Sequence, residues 1–272
     1  MIKVPFAIIG GSSTNSISFP DDLDDDSIII ILKDKIFETP FGDSPPLTVF
    51  EISTESGTKN VVSCRMHGWM SDRTRRDSSK QIFWVFREMG VKKIIAEGGV
   101  GAIDMEMEPG AIFIPDDYID FSARKDVNLA HDHLLIMRDP VCSTLRDIAI
   151  SHIDSRKTMI FPKGVYAVTD GRHFESVAEV KMLGMLGAHA VGQSFTPEVY
   201  LAREIGACYL GLYLVVNYAE GVLPEWDYAK FKDLYYNESK NIGNILLNTI
   251  KSLDMTSDEC ACASLRVETL LS

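Results

Sequence analysis

At 272 residues and 46 % hydrophobic content, the chain can bury one large core or two small ones. Its formal charge of −12 and pI near 4.9 argue against contact with a nucleic-acid backbone, which demands a basic surface. The longest apolar runs, SIIIIL at 27–32 and YLGLYLVV at 209–216, fall far below the roughly 20 residues a membrane helix needs, and the N-terminal MIKVPFAIIGG is too short for a signal-peptide core, so the expectation is a cytoplasmic protein.

Strand-like runs alternate with helical periodicity along the chain. The pattern predicts strands at 6–10, 27–32, 47–52 and 60–66, a helix over 78–90, and strands at 92–98 and 110–120. A helix over 139–153, a strand at 164–170 and a helix over 175–187 follow. Then come a strand at 188–194, a helix over 196–206, a strand at 208–216 and a last helix over 227–253. Gly90, Gly187 and Gly206 each sit where a helix must close, and Thr196 precedes Pro197 as an N-cap precedes a first turn. With no Gly/Ser linker and no repeat, the alternation argues one α/β domain over 1–272 on a mixed central sheet flanked by helices, with a C-terminal tail from about 254. Segment 121–136 has little periodicity and reads as a long functional loop or an interface arm.

Polar or glycine-rich groups gather at strand ends. AIIGGSS (7–13) runs from a strand into two glycines and two hydroxyls, a turn that can offer backbone N–H groups to an anion or be purely structural; it is not the GxGxxG of dinucleotide sites. In CRMHG (64–68), strand alternation projects Arg65 and His67 to the same side, a donor pair suited to a phosphate dianion, unless the Arg is a surface residue beside a satisfied His. RTRR (73–76) reads as a solvated or loop-packing run. AEGGVGAI (96–103) ends a strand in glycines that allow close backbone approach to a ligand. Glu175 in TDGRHFESVAE (169–179) opens a helix, as a ligand contact or a helix-dipole residue. GQSFTPE (192–198) repeats the arrangement with Gln193 and Ser194, and LYLVVNYAEG (212–221) stops an apolar run at Asn217. In an open α/β sheet such ends converge on the ligand crevice.

Five cysteines, Cys64, Cys142, Cys208, Cys260 and Cys262, lack paired CxxC spacings. No metal site is expected from them; most read as reduced and structural, with the two thiols of CAC (260–262) as an oxidation-sensitive exception.

The order of these motifs resembles the trimeric purine nucleoside phosphorylase family, which includes methylthioadenosine and methylthioinosine phosphorylases. The resemblance covers nearly the whole chain: IIGGSS, ETPFG (38–42), RMHG, EPGAIFIPDDYIDFS (108–122), DPVC (139–142), GVYAVTDGRHFESVAE, LGAHAVGQSFTPEVYLAREIG, VNYAEG and CAC. It implies a nucleoside phosphorylase-like fold and reversible phosphorolysis of purine nucleosides, with inorganic phosphate as co-substrate and no metal or organic cofactor. It further implies a phosphate site of Ser12, Arg65, His67, the backbone near Gly99, and Ser194. Phe174 would stack near the base, Glu175 would hydrogen-bond it, Gln193 would stand where the family usually has a ribose-contacting Met, and Asn217 would meet purine N7 and O6. Asn217, His67 and Glu175 are thus the candidate catalytic residues. The family also implies a homotrimer whose sites are completed by a neighbour's loop within 121–142, with His133 as a candidate contributor.

An amide at 217 can accept from a protonated N7 and donate to a 6-oxo group, whereas adenine-type members typically carry Asp there. The chain therefore looks like a 6-oxopurine enzyme acting on inosine, guanosine or methylthioinosine, with methylthioadenosine phosphorolysis, or a nucleoside hydrolase or purine-binding homologue, as alternatives. Arg172 and His173 depart from the family's GPRF, SSKQI (78–82) replaces NYRAN, and Gln193 and Phe195 alter the expected ribose side. PEWDYAKF (224–231) carries no His to meet a 5′-hydroxyl, which suggests a 5′-deoxy or thioether substituent unless a local insertion brings in Asp227 instead.

Overall fold

The apolar run FAII forms β1 (Phe6–Ile9), in which every residue is buried. In the computed structural model, residues 1–130, 132–223, 228–254 and 260–269 are described. Residues 224–227, part of the segment read for sugar recognition, lie outside them. After β1 come β2 (Ile28–Lys35), β3 (Glu38–Thr39), β4 (Gly42–Asp43), β5 (Leu47–Thr54), β6 (Gly57–Cys64), α1 (Arg75–Met89), β7 (Lys93–Ala102), β8 (Ile112–Phe113), β9 (Asp117–Asp120) and β10 (His133–Leu135). The chain continues through α2 (Ser143–Ser151), β11 (Ile160–Phe161), β12 (Val165–Val168), α3 (Val177–Met185), β13 (Ala190–Gly192), α4 (Glu198–Glu204), β14 (Cys208–Tyr218), α5 (Tyr228–Ser252) and β15 (Arg266–Glu268).

One mixed sheet of eleven strands organises the described residues, with the order β11-β8-β14-β7-β1-β6-β5-β2. The centre is parallel: β7 pairs with β1 on one side and β14 on the other, and β1 also pairs with β6. Parallel strands covered on both faces must be apolar throughout, and the burial of β1 and the near-complete burial of β7 and β14 follow that rule. At its end β7 also pairs antiparallel with β13, through Gly101 and Ala102, so the sheet forks there towards β12 and β9. No described helix is long and apolar enough to cross a membrane.

Gly90, Gly187 and Gly206 all adopt positive φ at helix ends, as expected. α1 and α3 begin in capping boxes, Thr74 with Asp77 and Ser176 with Glu179. Thr196 is not an N-cap: the cap of α4 falls on Pro197. Glu175 likewise precedes α3 instead of opening it, because Ser176 takes the cap. The run at 110–120 divides into β8 and β9, which join different branches of the fork. Within 121–136, periodicity missed β10, a three-residue strand that pairs antiparallel with β15. The C-terminal segment is consequently docked over 260–269, with Cys262 and Leu265 buried.

Phe195 is fully buried in an aromatic cluster, with ring centroids 5.3 Å from Tyr118, 5.4 Å from Tyr166 and 5.5 Å from Tyr209. It belongs to the core and does not face the sugar side, correcting the sequence expectation. Phe195→Ala removes a ring that close-packed neighbours cannot replace, so stability should fall by about 3–5 kcal/mol. A urea titration checks this: the midpoint drops at unchanged slope, and an unchanged midpoint would contradict the cluster's role.

Candidate active site

A cavity of about 260 Å³ opens where β1, β6, β7, β12, β13 and β14 end or loop away. Ser12, His67, Gly99, Phe174, Glu175, Gln193, Ser194 and Asn217 all line it. Arg65 does not.

The first wall is built on Glu97, a fully buried residue of β7. Its carboxyl oxygens accept from the backbone N–H groups of Gly11, Ser13 (3.1 Å) and Thr14 (3.2 Å), and from the Thr14 hydroxyl (2.6 Å). The glycine-serine turn therefore does bind an anion-type group with its amides, but that group is the chain's own side chain. What the turn leaves for a ligand is Ser12, whose Oγ accepts from the Gly99 N–H at 3.0 Å and donates to the Tyr235 hydroxyl at 3.1 Å. A Cβ on Gly99 would collide with that hydroxyl, and one on Gly11 would collide with the Glu97 carbonyl and the His67 ring, so glycine is required at both. Burial pushes the Tyr235 phenol up to about 12.

β6 stops at Cys64, and Met66 and His67 both take positive φ, at 46° and 53°. The period-two projection of Arg65 and His67 is thereby broken. His67 turns into the cavity floor, buried, and its Nδ1 lies 2.8 Å from Glu198. Arg65 is exposed, and its guanidinium donates to the carbonyl and side-chain oxygens of Asn15 at 3.1 and 3.3 Å. Glu198 also accepts from Arg75 at 2.7 Å and from the Tyr209 hydroxyl at 3.1 Å. The same guanidinium donates to the Ser194 carbonyl at 3.1 Å. Burial works to raise the Glu198 carboxyl, but the His67 ring and the Arg75 guanidinium outweigh it and hold the group below its ordinary range. RTRR is accordingly no solvated run: Arg75 is the cation of a buried network, and Arg73 donates to Gln81 at 3.0 Å.

The far wall depends on a β-bulge. β14 and β7 keep register up to Val215 opposite Val100, and then Asn217 faces Gly101, so Val216 is an extra residue. Such an insertion re-aims the side chains that follow it. Asn217, buried, faces the cavity with its Nδ2 donating to the Tyr218 carbonyl at 2.6 Å. Glu175 is buried beside it in the same lining and accepts from the Thr169 hydroxyl at 2.5 Å. Gln193 donates to the His173 carbonyl at 2.9 Å, tying the 171–174 loop down, and Phe174 stands half-exposed at the mouth.

Sequence reasoning missed Tyr235, Trp69, Arg75 and Glu198. Tyr235 and Trp69 carry no local motif, and Glu198 reads only as a first-turn acid until the tertiary structure brings His67 and Arg75 against it. His133 lies on β10, its Nδ1 2.7 Å from Asp132 and outside this cavity.

Glu198→Gln leaves a buried guanidinium without its counter-charge, and stability should fall by about 3 kcal/mol. Because the folded carboxyl is held below the unfolded value of about 4.3, its contribution is complete above that pH and is lost as pH falls through the folded value. Unfolding free energies measured from pH 7 to pH 3 should slope less in the variant than in the wild type; parallel curves would refute the network.

The model of the phosphorylase superfamily matches residues 6–251. A probable S-methyl-5'-thioinosine phosphorylase of Methanopyrus kandleri is 35 % identical over 188 residues, covering 68 % of this chain and 72 % of that protein. The 6-oxopurine nucleoside phosphorylase of Pyrococcus furiosus is 27 % identical over 242 residues, 85 % of this chain and 89 % of that protein. Among solved structures, the methylthioadenosine phosphorylase of Schistosoma mansoni in complex with adenine superposes with a TM-score of 0.75 at 19 % identity, over 97 % of this chain and 99 % of that one, a likeness of fold. The forked sheet, the strand-end cavity and a family match spanning nearly all the ordered core agree: the chain belongs to the phosphorylase superfamily.

Proposed function

We propose that the protein phosphorolyses purine nucleosides, preferring 6-oxopurines, and releases the free base and a pentose 1-phosphate. One observation carries this reading: a single cavity is lined by the Ser12 and Ser194 hydroxyls, the His67 imidazole and the Gly98–Gly99 backbone at one end and by a buried carboxamide and carboxyl at the other. Gly99 marks the first end and Gly101 the second, and two residues of strand span about 7 Å, room for a pentose between them. Ser12, His67, the backbone near Gly99 and Ser194 hold phosphate on one face of the anomeric carbon. Asn217 meets N7 and O6 of the departing base, Glu175 orients it, and Phe174 covers it. As the glycosidic bond lengthens, negative charge grows on the base and positive charge on the sugar; groups aligned with that charge favour the transition state over the bound substrate. His67, oriented through Glu198, needs no rearrangement to serve the entering oxyanion. Inorganic phosphate is the only co-substrate of this reaction. The names of the relatives support both 6-oxopurine and 5′-methylthio nucleosides as substrates.

A second reading is favoured by Arg65, whose guanidinium lies on Asn15 and not in the cavity, which leaves the phosphate end short of a cation. In that case water replaces phosphate and the enzyme is a hydrolase. Assembly as a homotrimer, with segment 121–142 completing a neighbour's site through His133, is supported by exposed apolar side chains on α3 (Val177, Met182, Met185) and by exposed Phe121 and Leu134.

Two measurements test this. Inosine, guanosine, 5′-methylthioinosine and 5′-methylthioadenosine, each assayed with and without phosphate, should give base release that rises with phosphate and favours the 6-oxo bases. Asn217→Asp should shift the 6-amino to 6-oxo ratio of kcat/KM upward by about tenfold or more. Release indifferent to phosphate would establish the hydrolase, and a fixed ratio would remove Asn217 from base selection. Sedimentation equilibrium should return three times the chain mass, and a monomer would end the shared-site proposal.

A further inference from the structure

Cys142, Cys208, Cys260 and Cys262 come from three distant parts of the chain, which is why their spacing predicts no metal. Cys142 is the N-cap residue of α2, Cys208 begins β14, and Cys260 and Cys262 follow α5. Their four sulfurs nevertheless lie within 4.8 Å of one another, with Cys208 and Cys260 at 3.3 Å. Four thiolates around a tetrahedral zinc, at about 2.3 Å each, stand about 3.8 Å apart, so only sub-ångström to ångström adjustments separate this cluster from a coordination shell. Cys142, Cys208 and Cys262 are buried and Cys260 half-buried. A second cavity, lined by Asp116, Asp139, Arg146, Cys260 and Cys262, connects the cluster to solvent.

We propose that these four cysteines form a structural site for a divalent zinc-like cation. The backbone holds two of the ligands independently: the Cys142 N–H donates to the Tyr209 carbonyl at 2.9 Å, and the Cys208 N–H to the Lys92 carbonyl at 2.8 Å. Arg203 donates to the Asp139 carbonyl at 2.6 Å, beside Cys142, and reaches the Cys262 carbonyl at 3.5 Å. Binding forms four metal–sulfur bonds and releases the thiol protons to solvent, with no change of oxidation state. A soft, all-sulfur, closed tetrahedral set selects zinc over magnesium or calcium. Its effect is mechanical: it fastens the 260–269 segment, and with it the β10–β15 pair, to the ends of α2 and β14. Cys64, buried at the end of β6, lies outside the cluster and serves as an internal control.

The full-length chain, purified without chelators from zinc-supplemented cells, should contain about one zinc per chain by elemental analysis. Cobalt(II) added to the reduced, metal-stripped protein should give the visible bands and thiolate charge-transfer absorption of a tetrahedral sulfur site. Chelation should lower Tm and added zinc should restore it. Cys260→Ser, at the half-buried position, and Cys262→Ser should lower metal content at least tenfold, while Cys64→Ser keeps it. Should the serine variants fold poorly, the cobalt spectrum of the wild type still decides. A reduced wild type that takes up no cobalt, metal retained in Cys260→Ser, or an intact mass short by about 2 Da for each disulfide would overturn the proposal.

Discussion

The carboxyl group of Glu97 is the tie on which the site depends. A buried carboxyl is costly unless its oxygens are met by donors, and here three backbone amides and one hydroxyl meet them, all from the turn at 11–14. This single side chain joins the first strand of the fold to the middle of β7. It therefore fixes Ser12 against the Gly99 N–H and leaves no space for anything larger than glycine at position 11. A turn that resembles an open anion nest is instead a closed internal contact that presents one hydroxyl outward.

Behind this wall lies a second buried network, His67, Glu198, Arg75 and Tyr209, that orients the imidazole. The two networks share no residue, yet both converge on the strip Gly98–Gly99 of β7. Beneath this end of the cavity the Arg75 guanidinium compensates the buried Glu198 carboxylate, while the exposed Arg65 is engaged with Asn15. Electrostatic support transmitted through a buried carboxylate is more rigid than a guanidinium on a solvent-exposed turn, because every partner is already fixed by packing.

Much of this was readable from residues alone, for identifiable reasons. Strands of the parallel centre are continuous apolar runs, and helix ends are punctuated by glycine at positive φ, so 208–216 and Gly90, Gly187 and Gly206 could be assigned without tertiary information. The cavity residues Ser12, His67, Ser194, Glu175 and Asn217 were recoverable because open α/β sheets gather ligands at strand ends. Arg65 was misplaced because alternation holds only inside a strand, and β6 ends one residue before it. Phe195 was misplaced because it lies three residues past the end of β13, where strand alternation no longer sets the face. β10 escaped notice because three residues leave no period to detect. The thiol cluster and Glu198 depend on segments remote in sequence, and no local pattern encodes such convergence.

The extra residue at Val216 has a consequence for how this architecture can vary. Up to Val215, β14 is locked to β7 by pairing and burial, so its side-chain parity cannot change without exposing core residues. Past the bulge, parity is reset, and position 217 is released from the alternation that governs the eight residues from Cys208 to Val215. The side chain at 217 can thus vary while the hydrophobic centre stays constant.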